Sequence, residues 1–334
     1  MEVLDGIARE VEPVIYDALS ENASPEFQEV LIYPIKAGGK RIRPAVVLLS
    51  CEAAGGKPEN ALNAAAAIEL VHNYTLIIDD IIDHGEVRRG RPTLWKKYGL
   101  SMALLAAVQY REAISELLLK SENSKRLLSI VDHYVMRLVE GERLDVLFEQ
   151  FGREDEPYVV DHRRTSISLE DYIDMVIRKT SSLYEASAMM GAVEAGAEER
   201  IVEAFREFGL NLGVSFQIVD DLLDLFGSAS ETGKQVGKDI IEHKLGNMLI
   251  LKGLERMYGD DKQFFFNVLR SKQISEEDLE KALEILAKTG VKENAAREAW
   301  LYAEKAKSML AILPDSKAKK TLLELTDYVV YRNK

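Results

Sequence analysis

The chain has 334 residues, 47% of them hydrophobic, which is enough for a large core and, by length alone, for one to three domains. A net charge of -13 argues against a nucleic-acid binder, although 43 lysines and arginines leave room for local basic patches. The single Cys51 excludes an internal disulfide framework and a cysteine-based metal site, and is expected to be a small buried residue.

Only 8 prolines occur, and apolar residues recur mostly at helical spacing. The first distinctive stretch is Gly38-Gly39-Lys40-Arg41-Ile42-Arg43-Pro44. Its glycines allow close approach of the backbone to an anion. It lacks the GxxxxGK[ST] spacing of a nucleotide P-loop; it reads as a third basic site, with a basic surface turn as the alternative if taken alone. After a break at Gly55-Gly56-Lys57-Pro58, a helix is predicted over Ala61–Ile82. It carries Glu69, His72, Tyr74 and the cluster Asp79-Asp80-Ile81-Ile82-Asp83. Glu69-x-x-His72 matches half of a di-iron carboxylate site, but no second ExxH exists to complete it. A loop over Gly85–Pro92 follows, with Arg88-Arg89-Gly90-Arg91 inside it. Further helices are expected over Leu128–Gln150, Leu169–Ala195 and Glu199–Phe226, with a charge-rich, exposed excursion over Gly152–Ser168. Ser168 and Ser275, each followed by acidic residues, read as N-caps. The helix at 199–226 ends in a second cluster, Asp220-Asp221-Leu222-Leu223-Asp224. The loop Gly227–Lys238 behind it supplies Gly233-Lys234 and Gly237-Lys238, and a last break falls at Leu313-Pro314-Asp315. No low-complexity linker or short repeat divides the chain. The expectation is one all-α domain over residues 1–334. Without a charged-then-apolar leader or a run of about 18 apolar residues, it is expected to be cytoplasmic with no membrane span.

The two DDxxD clusters carry the chemistry. On a helix, residues four apart share a face, so Asp79 projects with Asp83 and Asp220 with Asp224. Carboxylates crowded in apolar runs are costly unless a cation lies between them, and Mg²⁺ shared with substrate phosphates is a usual form of such a site. A single cluster could be a solvated helix face. Two copies, each followed by a basic loop, fit a metal-bridged diphosphate whose remaining oxygens are taken by guanidinium forks and lysines. His72 lies seven residues before Asp79 and so on nearly the same face.

These stretches together resemble the trans-prenyl diphosphate synthases of the polyprenyl synthetase family. The likeness runs in order through GGKRIRP (38–44), HNYTLIIDDIID (72–83), RRGRPT (88–93), EGERLD (140–145), RKTSSLYEAS (178–187), FQIVDDLLD (216–224), GKQVGKD (233–239) and LPDSKAK (313–319). It implies an all-α isoprenoid synthase fold with helices around a deep cavity, and a homodimer. It implies that Asp79, Asp83 and Asp220 ligate three Mg²⁺ ions, supported by Asp80, Asp221 and Asp224. Arg88, Lys179, Thr180, Gln217, Lys234 and Lys244 would hold the allylic diphosphate, and Lys40, Arg43, His72 and Arg89 would hold isopentenyl diphosphate. The Thr180 hydroxyl and Gln217 carbonyl would stabilise the allylic cation.

Product length is expected to follow from depth. Tyr74 lies about 7.5 Å before Asp79 along a helix, above Ala64, Ala65, Ala66 and Ala67. With Thr75 beside it, this resembles archaeal-type enzymes making the C20 product, geranylgeranyl diphosphate, with C15 or C25 as alternatives. Three positions depart from the family pattern: Ile78 in place of a frequent histidine, Leu104–Gln109 where an LAGD-like stretch is usual, and His243–Asn247 in place of GKxTxP. The missing acid of the second could alter support behind the active site. A class I terpene cyclase would use a different second metal motif and need no isopentenyl site. A non-catalytic subunit of a heteromeric synthase would usually have lost aspartates that this chain keeps.

Overall fold

The computed structural model describes residues 2–227 and 236–331. Among them the regular structure is helical apart from one two-stranded ribbon, Val87–Arg88 (β1) with Arg91–Pro92 (β2), so the all-α expectation holds. The chain divides into two compact units. The first comprises Met1–Val135, Leu183–Gly209 and Met309–Glu324, and the second Met136–Ser182, Leu210–Ser308 and Leu325–Lys334.

In the first unit, α4 (Leu62–Ile82) packs against α1 (Glu2–Ser20), α3 (Ile42–Ala53) and α6 (Leu100–Leu119). Ala64–Ala67 are fully buried, as are Ile68 and Leu70. Facing residues such as Val11, Ile15, Ala106 and Ile114 are buried with them. α2 (Pro25–Lys36) starts at Ser24, whose hydroxyl accepts the Phe27 N–H, with Pro25 in the first turn where its missing N–H costs nothing. The Tyr110 hydroxyl of α6 donates to Leu31 O at 2.6 Å and ties α6 to α2. The segment Pro58–Ile82 has the length and mean hydropathy (1.2) to cross a membrane, but its apolar window is 61% buried within the fold. It also bears Glu69, His72, Asp79 and Asp80, which suits a core helix ending at a polar site.

The second unit surrounds a core of Phe148, Tyr172, Val214, Ile218, Met248, Phe265 and Leu286, all fully buried. The helix expected over 169–195 forms without a gap over 169–194 but contains a π-helical turn. α9 (Leu169–Val176) opens with a capping box on Ser168 and Asp171, passes into a π-helical turn at Ile177–Ser181, and resumes as α10 (Ser182–Glu194). Ser275 caps its helix as expected, accepting from Asp278 N at 3.1 Å. α11 covers Glu199–Phe226, the limits its periodicity predicts. The excursion over 152–168 contains one short helix, α8 (Pro157–His162).

Candidate active site

In the first unit, Asp79 and Asp80 lie in the last turn of α4 and Asp83 is its C-cap, with Asp83 N–H donating to Asp79 O at 2.8 Å. The helix dipole places its negative end there, so three carboxylates at that end call for positive charge. Arg88 supplies part of it. Its Nη2 donates to Asp79 Oδ2 and its Nε to Asp80 Oδ1, both at 2.7 Å. Asp80 is buried, whereas Asp79 and Asp83 keep partial exposure. Burial would lower the Arg88 pKa, but the two carboxylates outweigh it and hold the guanidinium above its ordinary value.

Arg88 is aimed by a tight hairpin. Arg88 pairs with Arg91 in register, and Arg89 and Gly90 both have positive φ (55° and 71°), the geometry of a type I′ turn. Thr93 Oγ1 and Trp95 Nε1 both donate to Gly85 O, at 2.7 and 2.8 Å, and Tyr33 Oη donates to Pro92 O at 2.7 Å, so the hairpin is held at both ends. The loop expected at 85–92 therefore contains a two-stranded ribbon.

A second feature of this unit is a cluster of cations with few anions. Lys40 is exposed. Arg43 stacks on the Tyr184 ring at 4.7 Å, and its Nε is buried without a hydrogen-bond partner. Burial, with Arg43, Arg89, Arg88 and Arg41 nearby, holds His72 well below the usual histidine range, hence neutral. Arg89 is pushed down by burial and by Arg41, Arg88 and Arg43, against a single opposing carboxylate, Glu69. Burial and neighbouring positive charge thus hold both His72 and Arg89 down, a setting that favours an anionic ligand. Tyr74 is half-buried on α4, and burial raises its phenol pKa. The Thr75 hydroxyl is spent on its own helix, donating to His72 O at 2.9 Å. Of the departing stretch Leu104–Gln109, Leu104, Leu105 and Val108 are exposed (45%, 53% and 61%).

The second unit holds the other set. The π-helical turn presents Lys179 and Thr180. Two glycines let it nest: a Cβ at Gly141 would lie 2.3 Å from Lys179 N, and one at Gly213 would lie 2.4 Å from Ser181 Cα. Lys179 Nζ pairs with Asp145 (2.6 Å) and Glu142 (2.9 Å). Thr180 Oγ1 donates to Gln217 Oε1 at 2.6 Å, and Gln217 Nε2 donates to Asp221 Oδ1 at 2.8 Å. The other oxygen of Asp221 accepts from Tyr172 Oη (2.8 Å) and Met248 N (2.9 Å). Burial and the neighbouring Asp239 push Asp221 well above the usual carboxylate range, against the pull of these donors. Asp220 and Asp224 are only partly buried, and Asp224 Oδ2 accepts from Asp239 N at 3.0 Å. Lys244 is buried between Asp145 and Glu242, 3.3 Å from each. Burial would raise the Asp145 pKa, but Lys179 and Lys244 hold it well below the ordinary carboxylate range. Lys234, expected as a phosphate ligand, lies outside the described residues with the rest of 228–235.

Several residues in these networks had no role expected from the sequence. Tyr172, which lies in none of the motifs, and Asp145, the last residue of EGERLD, anchor the Gln217 and Lys179 chains. Asn247 accepts from Leu249 N and Ile250 N and donates to Asp239 Oδ2 at 2.8 Å, capping the next helix while bracing the acidic cluster. Acids spaced i, i+3 in Glu142–Asp145 were the available signal for the second pair.

The sequence profile of the Polyprenyl synthetase family matches residues 24–286. The chain is 34% identical to the short chain isoprenyl diphosphate synthase of Methanothermobacter thermautotrophicus, over 99% of both chains. It is 36% identical to the geranylgeranyl diphosphate synthase of Saccharolobus solfataricus, over 92% of this chain and 90% of that one. Its fold superposes on geranylgeranyl pyrophosphate synthetase from Pyrococcus horikoshii with a TM-score of 0.88 at 34% identity, covering 98% of each chain. On the profile match and these full-length relatives, the chain belongs to the polyprenyl synthetase family.

Proposed function

We propose that the protein is a trans-prenyltransferase that condenses isopentenyl diphosphate head-to-tail with an allylic diphosphate, making geranylgeranyl diphosphate, and that residues 1–334 act as one catalytic domain. The observation that carries the reading is the pairing, within the first unit, of two unlike charged sites on α4 and its hairpin. One is carboxylate-rich and bridged by Arg88. The other is built of Arg43, His72 and Arg89 with Glu69 as the opposing charge. Two diphosphates with different fates need such a pair: one that leaves and one that stays.

Mg²⁺ fits the first. The donors are hard carboxylate oxygens at a helix C-terminus, and Mg²⁺ binds through one or two carboxylates plus substrate phosphates. Asp79, Asp83 and Asp220 would hold three such ions, with Asp80, Asp221 and Asp224 in support. When bound, Mg²⁺ would neutralise the departing diphosphate. Arg88, Lys179, Lys234 and Lys244 orient the allylic diphosphate. Thr180 and Gln217, fixed by Asp221 and Tyr172, direct oxygen lone pairs at the carbon that becomes electron-deficient. Lys40, Arg43, His72 and Arg89 hold isopentenyl diphosphate without metal; its double bond bonds to the allylic C1 as the C1–O bond to the departing diphosphate breaks, and the proton then lost goes to that diphosphate. Tyr74, beside Thr75, limits the growing tail. A cytoplasmic homodimer completes the reading, supported by the exposed apolar stripe Leu100, Leu104, Leu105 and Val108 on α6.

The test compares two variants. Arg89→Gln removes a charged contact to the diphosphate that stays and raises KM for isopentenyl diphosphate about 10- to 100-fold. Asp79→Asn instead lowers kcat by about 10²- to 10³-fold. Equal effects of both variants on both substrates would refute two distinct sites.

A further inference from the structure

The motif Lys40-Arg41-Ile42-Arg43 places three cations within four residues, yet the middle one does not face the solvent. Arg41 is 3% exposed, while Lys40 is open and Arg43 half-buried. Its guanidinium uses every edge. Nε and Nη2 donate to Glu12 Oε1 of α1 at 3.1 and 2.8 Å. Nη1 donates to Glu69 Oε1 of α4 at 2.9 Å and to Gly38 O at 3.2 Å, and Nη2 also reaches Ile35 O at 3.0 Å. Asn73 fixes the acceptor, donating to Glu69 Oε1 at 3.0 Å.

The loop above this guanidinium leaves the helix with a backbone bond at its start, Gly38 N–H to Ile35 O at 3.0 Å. Gly38, Gly39 and Arg41 all have positive φ (90°, 145° and 50°), and such a run has no repeating hydrogen-bond pattern. Gly39 lies directly on the guanidinium: a Cβ there would sit 2.7 Å from Arg41 Nη1 and 3.1 Å from both Nη atoms of Arg89. Arg89 in turn donates to Gly38 O, the carbonyl that Arg41 holds from below. One buried side chain thus fixes the carbonyl against which Arg89 is set and the backbone on which Lys40 and Arg43 are carried.

We infer that Arg41 is a positioning residue for the isopentenyl diphosphate site, an assignment that rests on the function proposed above: it touches no substrate, and it sets the geometry of Lys40, Arg43 and Arg89 through the 38–41 loop. Its planar five-donor fork is what four acceptors on three helices and a loop require, and a lysine point charge could not replace it.

The experiment varies each substrate in turn with the full chain and Mg²⁺. In Arg41→Gln, KM for isopentenyl diphosphate should rise about tenfold, as misplaced ligands lose binding, while KM for the allylic diphosphate stays within about twofold. Glu12→Gln is the second variant. Glu12 is partly exposed and Arg41 keeps Glu69, so no buried charge is stranded. A selective rise of about threefold is expected there from the loss of one charge-assisted contact. A mere structural brace would lower thermal stability without separating the two KM values. Unchanged KM values in the folded variants, or a joint rise for both substrates, would overturn the assignment. Failure of the wild-type chain to consume isopentenyl diphosphate at all would instead overturn the underlying function, and it is seen before any variant is made.

Discussion

Gly213→Ala puts the π-helical turn under test. The new Cβ would lie 2.4 Å from Ser181 Cα and 2.7 Å from Ser181 Oγ. Carbon atoms settle about 3.5–4.0 Å apart, so the α11 backbone and the turn must separate by roughly 1 Å. Overpacking of this kind costs about 1–3 kcal/mol. The larger consequence is chemical. Ser181 adjoins Thr180, whose hydroxyl makes a 2.6 Å bond to Gln217, and a displacement near 1 Å at such a dipole costs up to about 10²-fold in rate. Thermal denaturation and single-turnover kinetics at saturating substrate would be measured together. Gly6→Ala is the control: it lies in α1 with nothing within 4 Å of its Cβ, so it should gain about 0.5–1 kcal/mol. Gly213→Ala with wild-type stability and wild-type turnover would refute the claim that this glycine seats the turn.

Other consequences can be checked independently. Tyr74→Ala should lengthen the product by one or more isoprene units, read by mass after dephosphorylation; an unchanged product would exclude Tyr74 as the floor. His72 makes stability depend on pH. Its folded pKa lies below the unfolded value of about 6.5, so as pH falls through that value the unfolded state takes up a proton that the folded state does not, and stability drops by up to about 1.4 kcal/mol per pH unit. Urea unfolding between pH 7 and 5.5 should therefore show a steeper loss for wild type than for His72→Gln; parallel curves would contradict the placement of His72 among arginines.

Much of the fold was legible because periodicity survives burial. The limits of α11 follow from its apolar spacing, and Ser168 and Ser275 announce their helices through the acids that follow them. The π-helical turn at 177–181 was not legible, since it depends on the close approach of Gly141 and Gly213, far away in sequence. The hairpin at 87–92 was hidden by its shortness and by an arginine at a turn position where asparagine is the usual signal. Site chemistry was readable from charge patterns, whereas direction was not. Arg41 and Arg43 look alike in sequence, yet one turns inward to Glu12 and Glu69 and the other lies over Tyr184 with a buried, unpartnered Nε. Likewise, Lys179 and Lys244 read as phosphate ligands, but only the fold shows that both share Asp145.

The central claim, prenyl chain elongation by this one polypeptide, is tested most directly by incubating the purified chain with Mg²⁺, isopentenyl diphosphate and each of the C5, C10 and C15 allylic diphosphates, then identifying the products by mass. The account predicts consumption of isopentenyl diphosphate and a linear product dominated by C20. Cyclic hydrocarbons formed without isopentenyl diphosphate, or no turnover with any starter, would contradict it.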